Sequence, residues 1–404
     1  MSEINEVYSD LLEQFTKLSK QQLSSESLPT LNESPTASSD VYAFCKALIN
    51  EGSRHSNKLW AAHMTPPASS ASILGQVLAG LHNGNLLSSP LYPLLHQIEQ
   101  QLLDWFCQLF QQQHGHFTAG ATYSNLEALW QAREHSSNKS QIVYASAACH
   151  YSIAKACQIL GLKLQTIATD EYDRMLTSAL EQACNTQAPI AIVLTAGTSA
   201  CGEIDPIREC INISKNYNSW SHIDAAWGGA LALLDEEQAL INDMAAADSL
   251  CVDPHKAFGQ AKPCGVLLYQ RPLQALFDAD ASYLEQQPQK TLSGSYGGEL
   301  FLPLWSDIMF NGVETLRKDI QQRLSQATQF SAQLSSRSDW WLHLSATGIV
   351  CFQPKVTTTN NLDQLVEQGL FSRAKVNGRE VYRAVFASPN TQAETLITAL
   401  APFL

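Results

Sequence analysis

Between residues 142 and 270 the chain alternates short apolar runs with stretches of helical period, and this alternation constrains the fold more than any other feature. Ile142–Ala145, Leu164–Ala168, Ile190–Thr195, Ser221–Ile223, Ser249–Val252 and Gly265–Tyr269 read as strands, while 151–160, 172–184 and 207–217 read as helices. A strand that leads through a helix into another strand returns to the same edge of the sheet and pairs in parallel. The alternation therefore predicts an α/β fold, a largely parallel sheet with helices on both faces.

Composition narrows what such a fold can serve. A chain of 404 residues is long enough for two or three domains and a large core. It is 45% hydrophobic and 16% charged, an ordinary globular profile, and its formal net charge of −13 argues against nucleic acid or an anionic membrane as partner. No apolar run approaches the roughly 20 residues that a membrane span needs. The acidic start, Met1-Ser-Glu-Ile-Asn-Glu6, lacks the apolar core of a secretory signal. The ten cysteines are scattered without a Cys-x-x-Cys pair, and Cys45, Cys107, Cys157 and Cys351 lie in apolar surroundings as small core residues. A reducing cytoplasm without disulfides or zinc is the expected setting. His114-Gly-His116 has no supporting Cys or carboxylate cluster and reads as a surface turn, so no metal site is expected.

Where ligands bind in such a sheet is also predictable, because open α/β sheets place them at the carboxyl ends of strands. Two apolar runs end in charge. Ile223 leads into Asp224-Ala-Ala-Trp-Gly-Gly229, and Leu250 to Val252 lead into Asp253-Pro-His255-Lys256. Gly228 and Gly229 allow close backbone approach. Ala225, Ala226 and Trp227 wall one charge, and Ala257 and Phe258 the other. A lysine so placed is expected to lose hydration, drop its pKa and become nucleophilic. A nucleophilic lysine with a carboxylate elsewhere in the site is the pattern of a pyridoxal-phosphate Schiff base and its pyridinium partner.

Asp224-Ala-Ala-x-Gly-Gly followed by Asp253-Pro-His-Lys256 resembles the group II pyridoxal-phosphate amino-acid decarboxylases, which include glutamate, aromatic-amino-acid, cysteine-sulfinate and diaminobutyrate decarboxylases. The likeness runs through roughly 58–315 and more loosely beyond. It implies a fold-type I scaffold with a mostly parallel seven-stranded sheet and a small C-terminal α+β domain. The expected division is 1–55 as an N-terminal helical segment and linker, 56–315 as the large cofactor domain and 316–404 as the small domain. The implied reaction is decarboxylation of an L-amino acid to its amine, with pyridoxal 5'-phosphate on Lys256. Asp224 would hold the pyridine nitrogen.

Further motifs follow in the family's order. Phe117-Thr-Ala-Gly-Ala-Thr122 opens a helix, whose free N–H groups suit a phosphate. It resembles the family's phosphate loop, which assigns that role to Gly120, Ala121 and Thr122. Ala119 and Ala121 replace the commoner Ser and Gly there, so Thr122 carries more of the work. Ala145-Ser-Ala-Ala-Cys-His150-Tyr-Ser is similar to the family's segment whose His stacks on the ring, although a His at a helix start is by itself usually a cap. Thr195-Ala-Gly-Thr198 resembles a turn that puts Thr198 near the ring's 3'-oxygen. Ala226 and His255 complete the expected cofactor set, together with Ser293 and Gly294, a turn that in relatives reaches the neighbouring subunit's phosphate. As a bare pattern that turn is equally a Gly-rich loop.

Ala62-His63-Met-Thr-Pro-Pro67 resembles the family's His-x-x-x-Pro-Pro segment near the substrate, though as a bare pattern it is equally a proline-rigidified loop, and Val381-Tyr-Arg383-Ala-Val-Phe386 resembles the family's terminal strand; the resemblance makes His63 and Arg383 the expected substrate residues. A planar guanidinium grips a carboxylate with two bonds, though strand alternation also allows a surface Arg. The family's catalytic loop Tyr has no clear counterpart: Tyr283 comes early and Tyr296 lies in a Gly-rich turn. A carbon–carbon lyase, an aminotransferase or an aldehyde-forming enzyme on the same scaffold therefore stays open. So does a cofactor-free regulatory subunit, which leaves Lys256, Asp224 and His150 unexplained together. The helical period of 3–18 (Ile4, Val7, Leu11, Leu12, Phe15, Leu18), cut off by a polar linker at 19–39, asks for a partner surface. The resemblance implies a homodimer with active sites at its interface.

Overall fold

The computed structural model describes residues 9–11, 13–14, 16–17, 34–136, 140–273, 291–336, 339–355 and 362–403. The chain divides into two compact units, Met1–Asn57 and Lys58–Leu404. In the first lies helix α1 (Ser38–Ser53). Its N-cap is Ala37, and Asp40 sits in the first turn, where a carboxylate meets the positive end of the helix dipole. Within the stretch 3–18 the described residues are helical, and the rest of it and most of the 19–39 linker fall outside the described residues.

The second unit is built on a seven-stranded sheet: β1 (His114–Thr118), β2 (Ile142–Ser146), β3 (Lys163–Ile167), β4 (Ala191–Thr195), β5 (Trp220–Asp224), β6 (Ser249–Val252) and β7 (Gly265–Tyr269). The spatial order is β1-β7-β6-β5-β4-β2-β3. The pairs from β3 across to β6 are parallel, and β7 runs antiparallel to both β1 and β6. Between β6 and β7 lies only one helical turn, at Pro254–Ala257. That is too little chain for the crossover a parallel return requires, so the strand reverses.

The helices of this unit are α2 (Ser70–His82), α3 (Pro93–Phe110), α4 (Ala121–His135), α5 (Tyr151–Leu160), α6 (Thr177–Thr186), α7 (Ile207–Asn216), α8 (Gln238–Met244), α9 (Pro254–Ala257), α10 (Leu302–Asn311), α11 (Val313–Ser335), α12 (Asp363–Glu367) and α13 (Ala393–Leu400). Strand alternation divides the core into two layers. Ile192 and Leu194 pack into one cluster with Leu102 and Phe106 of α3 and Ile211 of α7. Ala191 and Val193 pack into the other with Ala128 and Leu129 of α4 and Ile153 of α5. Full burial of a side chain such as Phe106, which is 0% exposed, stabilises by roughly 1.5–3 kcal/mol.

A second, antiparallel sheet of β8 (Trp340–Leu344), β9 (Ile349–Pro354), β10 (Ser372–Val376) and β11 (Arg379–Val385) has the order β10-β11-β9-β8. The expected boundary at 315/316 falls inside α11, whose Leu316 and Ile320 belong to the large-sheet core and whose Ala327, Phe330 and Leu334 belong to the core under the small sheet.

The structure corrects several sequence expectations. His114-Gly-His116 is an edge strand rather than a turn: β1 pairs with β7, and His116 stacks on Tyr269. Helix α6 starts at Thr177 rather than 172, because the Asp170 side chain accepts from the N–H groups of Tyr172 and Arg174 and holds them in a turn. Edge strand β10 went unpredicted, since Ser-Arg-Ala-Lys-Val buries only its ends. Helices α10 and α11 are separated by Gly312, which adopts φ 76°.

Candidate active site

The carboxyl ends of β4, β5 and β6 and the N-termini of α4 and α5 enclose a cavity of about 340 Å³, within the size range of small-molecule sites. Lys256, Asp224 and His150 all line it. So do Gly120, Ala121, Thr122, Ala226 and His255.

Lys256 stands on α9, one turn after Asp253, and its Nζ lies 2.8 Å from Asp253 Oδ2. Burial pulls the Lys256 amine down, but the Asp253 carboxylate, joined by Asp224, outweighs it and holds the amine above its ordinary value. This corrects the expectation of a lowered pKa: the apolar walls are real, but the i,i+3 spacing of a helical turn sets a carboxylate against the ammonium. Asp253 is buried, and its Oδ1 accepts from the Ala121 N–H at 2.7 Å. His255 Nε2 lies 3.5 Å from Asp253 Oδ2, and its Nδ1 donates to the Cys264 carbonyl at 2.5 Å. Burial holds the His255 ring below its ordinary pKa.

Helix α4 has no side-chain cap, and Gly120 at its start adopts φ 129°. A Cβ there would come within 3.1 Å of the His255 ring, so only glycine keeps this corner open to an incoming group. Gly228 serves packing instead: its Cβ would lie 2.4 Å from the Ala196 carbonyl oxygen.

Asp224 ends β5 and is 6% exposed. Its Oδ2 accepts from Asn125 Nδ2 at 2.8 Å and its Oδ1 from the Ala226 N–H at 3.2 Å. His150 is both cap and cavity wall. Its Nδ1 lies 2.8 Å from Ser152 Oγ and 3.3 Å from Ser152 N at the start of α5. Burial lowers its pKa.

Five expected site residues lie elsewhere. Thr198 is fully buried, its Oγ1 accepting from the Glu203 N–H at 3.1 Å; its neighbours Gly197 and Ser199, with Thr195, line the cavity instead. The turn after β4 points Thr198 into the protein, which corrects its expected place beside the ring. His63 is exposed, and the 62–67 segment reaches the cavity through Met64. Arg383 is absent from the lining. Its guanidinium bonds Ser372 Oγ at 3.0 Å, the Ala62 carbonyl at 3.2 Å and the Ser199 carbonyl. Ser293 and Gly294 form a turn in which Thr291 Oγ1 donates to the Ser293 carbonyl, and neither lines the cavity of this chain. Tyr296 also lies outside it, its hydroxyl engaged with Glu99, and Tyr283 falls outside the described residues.

Sequence reading missed Asn125, Ser152, His222 and Asp253. Asn125 follows Ala121 by four residues and so shares its helix face; His222 precedes Asp224 by two and so shares its strand face. Those two spacings were the available signals.

The arrangement suits a flat, phosphorylated heteroaromatic aldehyde. It offers the Thr122 end of a helix N-terminus for a dianion, a carboxylate for a ring nitrogen and an amine for an aldehyde carbon. The Thr195 hydroxyl, buried without a partner in the wall, is a further polar group that such a ligand satisfies.

Residues 20–355 match the family model described as "Pyridoxal-dependent decarboxylase conserved domain". The chain is 32% identical over 259 residues to an L-2,4-diaminobutyrate decarboxylase of Rhizobium meliloti, an alignment covering 57% of this chain and 52% of that one. It is 26% identical over 340 residues to an aromatic-L-amino-acid decarboxylase of Bacillus atrophaeus, covering 74% and 71%. The Rhizobium protein is thus matched over about half its length. In fold, the chain superimposes with a TM-score of 0.84 on a Rhodiola rosea 4-hydroxyphenylacetaldehyde synthase, covering 99% and 97% at 18% identity, a likeness of fold alone.

Proposed function

The chain belongs to the pyridoxal-dependent decarboxylase family, and from that premise we propose that it removes carbon dioxide from an L-amino acid to give the corresponding amine. The carrying observation is that Lys256, Asp224, His150 and the uncapped start of α4 surround one cavity. When bound, pyridoxal phosphate supplies an aldehyde that condenses with amines and a pyridinium ring that takes up the electron pair left by carbon dioxide.

The chain's own residues do the rest. The Thr122 N–H and hydroxyl at the start of α4, with His255, hold the phosphate; the Ala121 N–H is already given to Asp253 and the Gly120 N–H to Thr118 Oγ1. Asp224 keeps a proton on the pyridine nitrogen, and His150 and Ala226 wall the ring. Lys256 would supply the amine that holds the aldehyde carbon. Asp253, 2.8 Å from Lys256 Nζ, balances the charge of that amine when it is protonated. Ser199, which lines the cavity, takes the place beside the ring first assigned to Thr198.

The discriminating experiment is product analysis over the common L-amino acids. Equal amine and carbon dioxide, without aldehyde or keto acid, is the expected result. Aldehyde in place of amine would establish the aldehyde-forming alternative.

We further propose a cytoplasmic homodimer. The ten free cysteines suit a reducing compartment, and among the described residues no helix is long and apolar enough to cross a membrane. Ile73 and Leu74 on α2 and Met309 and Phe310 on α10 are large, apolar and 38–68% exposed, on two helices that pack together. Such a patch suits a second copy, and in that copy's site the Ser293–Gly294 turn would reach the phosphate. Light scattering should give twice the 44.4 kDa chain mass, and Phe310→Asp with Ile73→Asp should shift it toward monomer. A stable, active monomer would refute this proposal.

Arg383 is proposed to act on the substrate side by fixing the carbonyl of Ser199, a cavity-lining residue, with direct contact to the substrate carboxylate requiring that it release one of its present partners. Arg383→Met should keep cofactor binding and weaken amino-acid binding by about tenfold or more, a loss of about 1.5–3 kcal/mol per charged hydrogen bond. Arg383→Lys should restore only part, lacking the planar fork. Unchanged substrate binding in Arg383→Met would remove the residue from the substrate side.

A further inference from the structure

Behind the cavity lies a buried hydrogen-bond network that touches two of its functional groups. Asn125 and His222 are 0% exposed, Ser249 0%, Ser152 1% and Asp224 6%. Asn125 Nδ2 bonds Asp224 Oδ2 at 2.8 Å and Ser152 Oγ at 2.9 Å. Its Oδ1 lies 2.8 Å from His222 Nε2 and accepts from Cys251 Sγ at 3.4 Å. Ser152 Oγ then lies 2.8 Å from His150 Nδ1, and Ser249 Oγ lies 2.9 Å from His222 Nδ1 and accepts from Trp220 Nε1 at 2.8 Å.

The donors in this network have one consistent direction. A carboxylate oxygen only accepts, so the amide must turn its NH2 toward Asp224 and its oxygen toward His222. His222 Nε2 therefore carries a hydrogen. Burial holds the His222 pKa down to about 4, so the ring is neutral and Nδ1 accepts from the Ser249 hydroxyl, whose oxygen takes the Trp220 N–H. On the other arm, Ser152 Oγ takes the second Asn125 N–H and is left with its own hydrogen to give to His150 Nδ1 at 2.8 Å, beside the longer bond from the Ser152 N–H at 3.3 Å. The neutral His150 ring then carries its one proton on Nε2. The opposite amide orientation would set oxygen against carboxylate oxygen at 2.8 Å, and buried groups without partners are costly.

We propose that Asn125 is the positioning residue of this site: its amide holds Asp224 as an acceptor aimed at the ring nitrogen and, through Ser152, fixes the ring proton of His150 on Nε2. The cofactor half of this proposal rests on the function proposed above; the tautomer half does not. One residue thereby sets the hydrogen-bonding state of both the group under the pyridine nitrogen and the imidazole at the cavity wall. Networks in which every member is satisfied hold geometry in this way.

The test is ¹⁵N NMR of histidine-labelled full-length protein at neutral pH, with and without pyridoxal phosphate, on the wild type, Asn125→Leu and Ser152→Ala. In the wild type, His150 and His222 should both show an unprotonated Nδ1 and a protonated Nε2. Ser152→Ala, which leaves His150 Nδ1 only the Ser152 N–H at 3.3 Å, should shift the His150 Nδ1 resonance from its wild-type position, leave His222 unchanged and alter cofactor affinity less than about twofold. Asn125→Leu should disturb both rings and weaken cofactor binding about tenfold, the loss of one hydrogen bond to a charged group. A wild-type His150 with its proton on Nδ1, or a Ser152→Ala variant whose His150 Nδ1 resonance is that of the wild type, overturns the proposal even if Asn125→Leu fails to fold. A wild type that takes up no pyridoxal phosphate defeats the proposed function instead, and the tautomers still decide this inference.

Discussion

Lys256→Ala should still take up pyridoxal phosphate reversibly through the start of α4 and Asp224, yet carry no pyridoxyl label after borohydride reduction. The wild type, treated alike, should be labelled on Lys256. Turnover should fall by at least about 10²–10⁴, the usual loss when a positioned acid–base group is removed, and further because covalent capture of the aldehyde is lost with it. The variant also strips Asp253 of its 2.8 Å partner. Breaking a fully buried pair costs about 3–5 kcal/mol. Because 27% of the Lys256 side chain remains in solvent, the cost here should be smaller, and the melting temperature should drop without loss of the fold. Peptide mapping decides the assignment: a label on Lys262, or on no lysine, rejects it.

The second large effect is expected from Asp224→Asn. The shapes match, so cofactor binding should survive. The amide, however, cannot keep a proton on the pyridine nitrogen, and the ring becomes a poor electron sink. One amide atom must also confront a donor, either Asn125 Nδ2 or the Ala226 N–H, because both carboxylate oxygens now accept. Removing a preorganised electrostatic contact of this kind costs roughly 2.7–4 kcal/mol, about 10²–10³ in rate. Steady-state turnover under saturating cofactor measures it, and near-wild-type activity would show that another group protonates the ring.

The rank of these residues was legible because the motif carrying them is short. Asp224 and Lys256 each end or follow an apolar run, and the alternation of strands and helices places such ends on one edge of a parallel sheet. The six expected strands between 142 and 270 all appear as β2 to β7, within one or two residues at their ends. Strand β1 escaped because its pairing partner β7 lies about 150 residues later and His-Gly-His has no strand pattern of its own. The protonation of Lys256 was misread because the sequence shows its apolar neighbours but gives no distance to Asp253. Which hydroxyl of Thr195, Thr198 and Ser199 reaches the cavity depends on the turn at Gly197, φ 98°, and local pattern does not encode that path.

What the sequence by itself determined, then, was the layered α/β fold, the strand ends that form the site, and the lysine, carboxylate and histidine that line it. These follow from local periodicity and from residue types whose chemistry has few substitutes. Only the tertiary structure decided the charge partner of Lys256, the engagement of Arg383 with three backbone and hydroxyl oxygens, and the joining of Asp224 to His150 through Asn125 and Ser152. Each of these depends on groups brought within about 3 Å by different elements of the fold, and hydrogen bonds are too short-ranged to be inferred from positions along a chain.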